Sequence, residues 1–210
     1  MTHWLHHSLV LASDHRATHP ERVGPLLRRR QAALAEIGAH HVLVYTSITD
    51  PERVLVVIAV HAREPLLDIL HSRAVFEWFD AVGVDDIPAV FAGELVEALT
   101  VDPADPVTVP EVVVSMVTPV DDLAGLREHV LASGADLRAA GVRRLSAFSA
   151  FDDPLEVMLL LQIHDEAHAH HWLRYSDLAA EWLTKAGVGA YPPVFVGRLH
   201  SLVRVDPRRR

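Results

Sequence analysis

The sequence predicts an α+β fold in which one chain carries two β-α-β-β-α-β modules and closes them into a barrel-like pseudo-dimer. Three observations predict it. The chain repeats itself, each copy has the same succession of strand and helix patterns, and the third strand of each copy is apolar on both faces.

Shifting the sequence by 103 residues places Gly38, Asp50, Pro51, Val54 and His61 on Gly141, Asp153, Pro154, Val157 and His164. One extra residue in the second copy moves the offset to 104. Ser72, Glu77, Trp78, Gly83, Val84, Pro88, Val90, Phe91, Gly93 and Leu95 then fall on Ser176, Glu181, Trp182, Gly187, Val188, Pro192, Val194, Phe195, Gly197 and Leu199. More than a quarter of the aligned positions are identical, against roughly one in sixteen by chance from ordinary residue usage. The period is too long for a solenoid unit, so each copy reads as a small domain-like module. Residues 1–100 form the first and 111–210 the second. Residues 101–110, with three prolines and two aspartates, form an extended linker.

The first copy reads as a strand near 7–13, a helix near 21–37, strands near 41–48 and 53–61, a helix near 64–82 and a strand near 89–99. In the second copy, Glu111–Thr118 is a β-branched run and Asp121–Ala140 has helical spacing that ends at Gly141. Strands Arg143–Phe151 and Leu155–His164 flank an Asp152-Asp153-Pro154 turn. A second helix, Asp165–Ala186, stops at Gly187, and Pro193–Val205 is the last strand. This order is the ferredoxin-like split βαβ arrangement, present twice. The third strands, Val54–Val60 and, but for Gln162, Val157–Ile163, are apolar on both faces, where a sheet wetted on one side would alternate. Helices cover one face, and the sister sheet is the economical cover for the other, as across the two-fold axis of a homodimer.

Composition narrows the function. Half of the 210 residues are hydrophobic, which gives a globular chain with material for a core. The longest apolar run, Val54–Val60, is far short of the roughly 20 residues of a membrane-spanning helix, and the N-terminus lacks the basic start of a secretion signal. A cytoplasmic protein that engages no membrane is expected. The absence of Cys removes disulfides, thiolate metal sites, iron–sulfur clusters and Cys nucleophiles. A net charge of −9 disfavours nucleic acid as a partner, with Arg28–Arg30 and Arg208–Arg210 as solvated local exceptions. There is no Gly-rich phosphate loop, Ser-centred nucleophile elbow or paired-carboxylate motif of a hydrolase.

The run His71-Ser-Arg-Ala-Val-Phe76, followed by Trp78 and Phe79, then Gly83 and the Phe91-Ala-Gly93 strand, resembles the dimeric α/β-barrel superfamily, in particular its antibiotic-biosynthesis-monooxygenase-like branch. The resemblance covers nearly the whole chain, in both copies. It implies a single-chain dimeric α/β barrel, and members include cofactor-free quinol-type monooxygenases, haem-degrading enzymes and muconolactone-isomerase-like enzymes. Fold alone does not choose among these. Haem-degrading relatives carry a His on this helix with a Trp nearby and an Asn on the first strand. This chain has no Asn, which leaves Ser13 or Ser115 as the polar partner.

Candidate chemistry lies on the second helix of each copy. His71 is the expected proton acceptor, since a neutral imidazole can take a proton from a phenol-like group whose anion then meets oxygen directly, and Trp78 is the aromatic wall beside it. His61 and His164 close the third strands, and with Tyr175 and Trp182 they are expected to line the space between sheet and helices, where a small hydrophobic or aromatic molecule would bind. At i, i+4 and i+7, His164, His168 and His171 bring imidazoles to one side and offer three nitrogens to a metal with an open position. The favoured expectation is a cofactor-free oxidoreductase. The alternatives are a non-catalytic binding or assembly protein, and a haem or divalent-metal binder that uses the His residues. The pseudo-dimer stands alone as a monomer or pairs as a homodimer.

Overall fold

The computed structural model describes residues 8–61, 80, 84, 88–101, 109–174, 184–185, 187 and 193–205, with the backbone alone at 171, 173 and 174. It is a mixed α+β fold with eight strands and five helices among the described residues. In chain order these are β1 (Leu9–Arg16), α1 (Pro20–Arg29), α2 (Gln31–Glu36), β2 (Ala39–Ser47), β3 (Arg53–Val60), β4 (Ala89–Thr100), β5 (Val112–Pro119), α3 (Leu123–Ala132), α4 (Gly134–Ala139), β6 (Val142–Ala150), β7 (Glu156–Ile163), α5 (Glu166–Arg174) and β8 (Phe195–Arg204). No helix among the described residues is long and apolar enough to cross a membrane.

Two compact units divide the chain. One is His7–Ala92 with Gly197–Arg210, and its strands run in the order β1-β3-β2-β8. All three neighbouring pairs are antiparallel. The Asp50-Pro51 turn that joins β2 to β3 is closed by the Arg53 N–H on the Asp50 carbonyl, at 2.9 Å, and by the Glu52 N–H on Asp50 Oδ1. Val54–Val57 and Val60 of β3 are buried, as the apolar run requires. The second unit centres on Gly93–Val196, with the order β5-β7-β6-β4 and all pairs antiparallel. Here Val157–Ile163 of β7 is buried throughout, with Gln162 the one polar member.

The segments read as single helices, 21–37 and 121–140, are each two helices. At Arg30 the backbone leaves the helical region, φ −100° and ψ 19°, and its N–H is shared between the carbonyls of Leu26 and Leu27. At Ser133 the N–H is shared between His129 and Val130, and the Ser133 hydroxyl donates to the His129 carbonyl at 2.6 Å, which draws the chain back on itself. Asp122 caps α3 by accepting the Gly125 N–H at 2.6 Å. Gly38 and Gly141 end the helical segments in the left-handed region, at φ 73° and 78°. Their carbonyls accept the N–H groups of His61 and His164.

Candidate functional site

A straight row of cross-strand partners, Ser13, Val56, Val44 and Ser201, crosses the first sheet from β1 to β8. The Ser201 end of this row lies under α1, where Gly24 is so close that an added Cβ would stand 2.5 Å from the Ser201 hydroxyl oxygen. Alternate residues of a strand share a face, so Ser13 and His15 both lie on the face that α1 covers.

His15 is 5% exposed. Burial pushes its pKa down to about 4, against the opposing charge of Asp14, so the imidazole is neutral at neutral pH. Asp14 lies on the opposite face and is held by Arg53, whose Nε donates to Oδ1 at 2.9 Å. On that same opposite face, Tyr45 is fully buried in the row Asp14, Leu55, Tyr45, Leu199. Burial raises the Tyr45 pKa far above its ordinary value, so the phenol stays protonated. The helix-covered face of β1 therefore offers a hydroxyl and a neutral imidazole two residues apart. Such a pair can accept a proton from a weakly acidic organic group and hydrogen-bond the anion it leaves.

Of the residues expected from sequence, His71, Trp78, Tyr175 and Trp182 lie outside the described residues. His171 lies in α5, with its side chain outside them. His61 and His164 follow the ends of β3 and β7, both exposed. The His61 ring stacks on His40 at a centroid distance of 4.0 Å. His164 and His168 stand 5.9 Å apart by centroid, and His168 Nδ1 lies 2.8 Å from Asp165 Oδ1, whose oxygen also accepts the His168 N–H. Among the described residues no group of three or more His, Asp or Glu is arranged to hold a metal ion. Ser13 lies on the helix-covered face, and Ser115 is buried in the row Ser115, Leu160, Ser146 of the second sheet.

Sequence reasoning missed His15. Its expected strand stopped at residue 13, whereas β1 continues to Arg16. The signal available was alternation: Leu9, Leu11, Ser13 and His15 share one phase of the strand. It also missed the pair His40 and His41, which belongs to no spacing motif.

No family model matches the chain, and no curated protein matches it. Solved structures do. An anthrone oxidase-like protein superposes with a TM-score of 0.69 at 14% identity, over 96% of this chain and 94% of that one. A putative monooxygenase from Lactobacillus acidophilus has a TM-score of 0.56 at 10% identity, over 94% of this chain and 96% of that one. A heme-degrading enzyme from Listeria monocytogenes has a TM-score of 0.51 at 10% identity, over 90% and 98%. At these identities the likeness establishes a shared fold, that of monooxygenase-like and heme-handling α+β proteins.

Proposed function

We propose that the chain binds a small planar hydrophobic or aromatic molecule on the α1-covered face of the β1-β3-β2-β8 sheet and oxidises it as a cofactor-free, monooxygenase-type enzyme. The observation that carries this reading is His15, a buried imidazole that is neutral at neutral pH and sits beside Ser13 on a paired strand. A phenol, or a CH2 made acidic by flanking aryl groups, can pass its proton to this imidazole as an ion pair, in which the anion formed beside the ring offsets the burial that holds its pKa near 4, and that anion is electron-rich enough to meet O2 directly. In the net reaction CH2 and O2 become C=O and H2O. The substrate supplies every electron, and no reductant is consumed. The fold shared with an anthrone oxidase-like protein and with monooxygenase-like proteins supports this reaction class.

In this reading His71 is a second proton acceptor and Trp78 the aromatic wall in the first copy, where His61 stands at the far end of β3, and His164, Tyr175 and Trp182 line a separate cavity in the second copy. The reading also includes the arrangement expected from sequence, two ferredoxin-like repeats at 1–100 and 111–210 closed into a single-chain dimeric α/β barrel. A cytoplasmic location belongs to it too. The alternative, a haem or divalent metal held by His71 or by His164, His168 and His171, has the support of the heme-degrading neighbour. With its Nδ1 held by Asp165, His168 would ligate through Nε2.

The test is a titration of the protein with an anthrone and with planar phenols, followed through the imidazole resonances of His15. Binding in this site shifts those resonances and weakens at least tenfold in His15→Gln. Unshifted His15 resonances at saturating ligand place the binding site elsewhere and overturn the assignment. Saturable binding without oxygen consumption identifies a non-catalytic binding protein.

A further inference from the structure

His15 begins a second row of cross-strand partners beside the one that starts at Ser13. It runs His15, Val54, Thr46, Arg198, from β1 through β3 and β2 to β8. Residues in register place their side chains on one face, so Arg198 shares the α1-covered face with His15. The extra residue where β2 meets β8, His200, lies between the two rows and does not alter this, because Thr46 and Arg198 are themselves in register. Exposure rises along the row. His15 and Val54 are buried, Thr46 is half-buried and Arg198 is exposed. The neighbouring row, Ser13, Val56, Val44 and Ser201, carries no charge, and the buried residues of α1 are Val23, Gly24 and Leu27. With His15 neutral at neutral pH, the Arg198 guanidinium is the one fixed charge of the two rows, and it stands at their exposed end.

We propose that Arg198 is a specificity-determining residue, which selects among planar aromatic substrates those that carry a carboxylate on the ring remote from the carbon to be oxidised. This rests on the assignment of His15 as proton acceptor made above. With the acidic carbon at His15, the row leads to Arg198 across three strand spacings, about 14 Å. A fused-ring skeleton covers most of that span, and the flexible Arg198 stem covers the rest. A guanidinium presents a planar fork of N–H donors that pairs bidentately with a carboxylate and still serves a further acceptor. Thr46 offers a hydroxyl midway, within the row, to an oxygen substituent of the rings.

The same gradient fixes the orientation of the substrate. Carrying an unpaired carboxylate to the buried end of the row is costly, whereas at the exposed end it meets the guanidinium. A carboxylated substrate therefore enters with its acidic carbon first and its charge last. The equivalent row of the second sheet is Thr118, Val157, Ser149, Glu94. There a hydroxyl stands in place of the His15 imidazole and a carboxylate in place of the Arg198 guanidinium. Glu94 repels an anion where Arg198 attracts one, so selection of an anionic substrate belongs to the first sheet alone.

The experiment is an anaerobic titration of the full chain with anthrone and with anthrone-2-carboxylate, followed through the imidazole resonances of His15. The wild type is expected to bind the carboxylate about fivefold or more tightly than the neutral compound at low ionic strength, a preference that shrinks in about 0.5 M NaCl. In Arg198→Gln, at an exposed position that leaves the fold intact, the ratio of the two affinities falls to near one. Arg198→Lys retains part of it, and Arg204→Gln, which removes an exposed cation at the far end of the same strand, retains all of it. Equal affinity of the wild type for the two compounds, with both shifting His15, overturns the proposal and leaves the His15 site standing. A preference that persists in Arg198→Gln also overturns it, because another group then reads the charge. If neither compound shifts the His15 resonances, the assignment of His15 falls and this proposal falls with it.

Discussion

Replacing His15 by Leu tests the state of the imidazole at the centre of the proposed site. In the unfolded chain a His titrates near 6.5, and in the folded protein burial holds His15 at about 4. Between these values the unfolded state binds a proton that the folded state does not, so stability falls as pH falls through this window. The shift of about 2.5 units corresponds to on the order of 3 kcal/mol across the whole window. At pH 5.0 most of it has been lost, about 2 kcal/mol relative to pH 7.5. Urea denaturation of wild type and His15→Leu at both pH values isolates this contribution, because His41 and the carboxylates are common to the two proteins. The wild type is expected to lose about 2 kcal/mol more than the variant between pH 7.5 and 5.0. Equal losses, within about 0.5 kcal/mol, would refute the account of a neutral buried imidazole.

Two further predictions concern the frame. Gly141→Ala places a Cβ 2.4 Å from the His168 ring at a backbone φ of +78°, and is expected to destabilise the protein by about 2 kcal/mol or more in thermal or urea unfolding. The double variant with His168→Ala recovers part of that loss and leaves the backbone cost of about 1 kcal/mol. Asp122→Ala removes the side-chain acceptor of the Gly125 N–H and is expected to cost about 1 kcal/mol, with Asp122→Asn close to wild type.

The strand pattern was legible where one residue type dominates. The apolar run Val54–Val60 announces a doubly covered strand, and Asp50-Pro51 announces the turn before it. The helix breaks at Arg30 and Ser133 were not, because neither residue forbids helix. Carbonyl sharing and the back-bonded Ser133 hydroxyl decide them. Partner choice was also hidden. The residues of β4 and β8 read as strands, but only the hydrogen-bonded register places β4 beside β6 and β8 beside β2. The candidate site divides in the same way. His15 escaped because a strand boundary was placed three residues early, and the meeting of His40 and His41 depends on a bulge, which leaves no mark in residue spacing. The expectations at His71, Trp78, Tyr175 and Trp182 rest on helical spacing and on the resemblance of the surrounding residues.

Oxygen uptake by the purified, metal-free chain with an anthrone as substrate, compared with His15→Gln at equal concentration, tests the central claim most directly. The account predicts consumption of one O2 for each carbonyl formed, with no added reductant, and a rate at least tenfold lower in the variant, in line with the loss of a general base. Oxygen uptake at the same rate in His15→Gln, or none by the wild type with any planar phenol or anthrone, would contradict it.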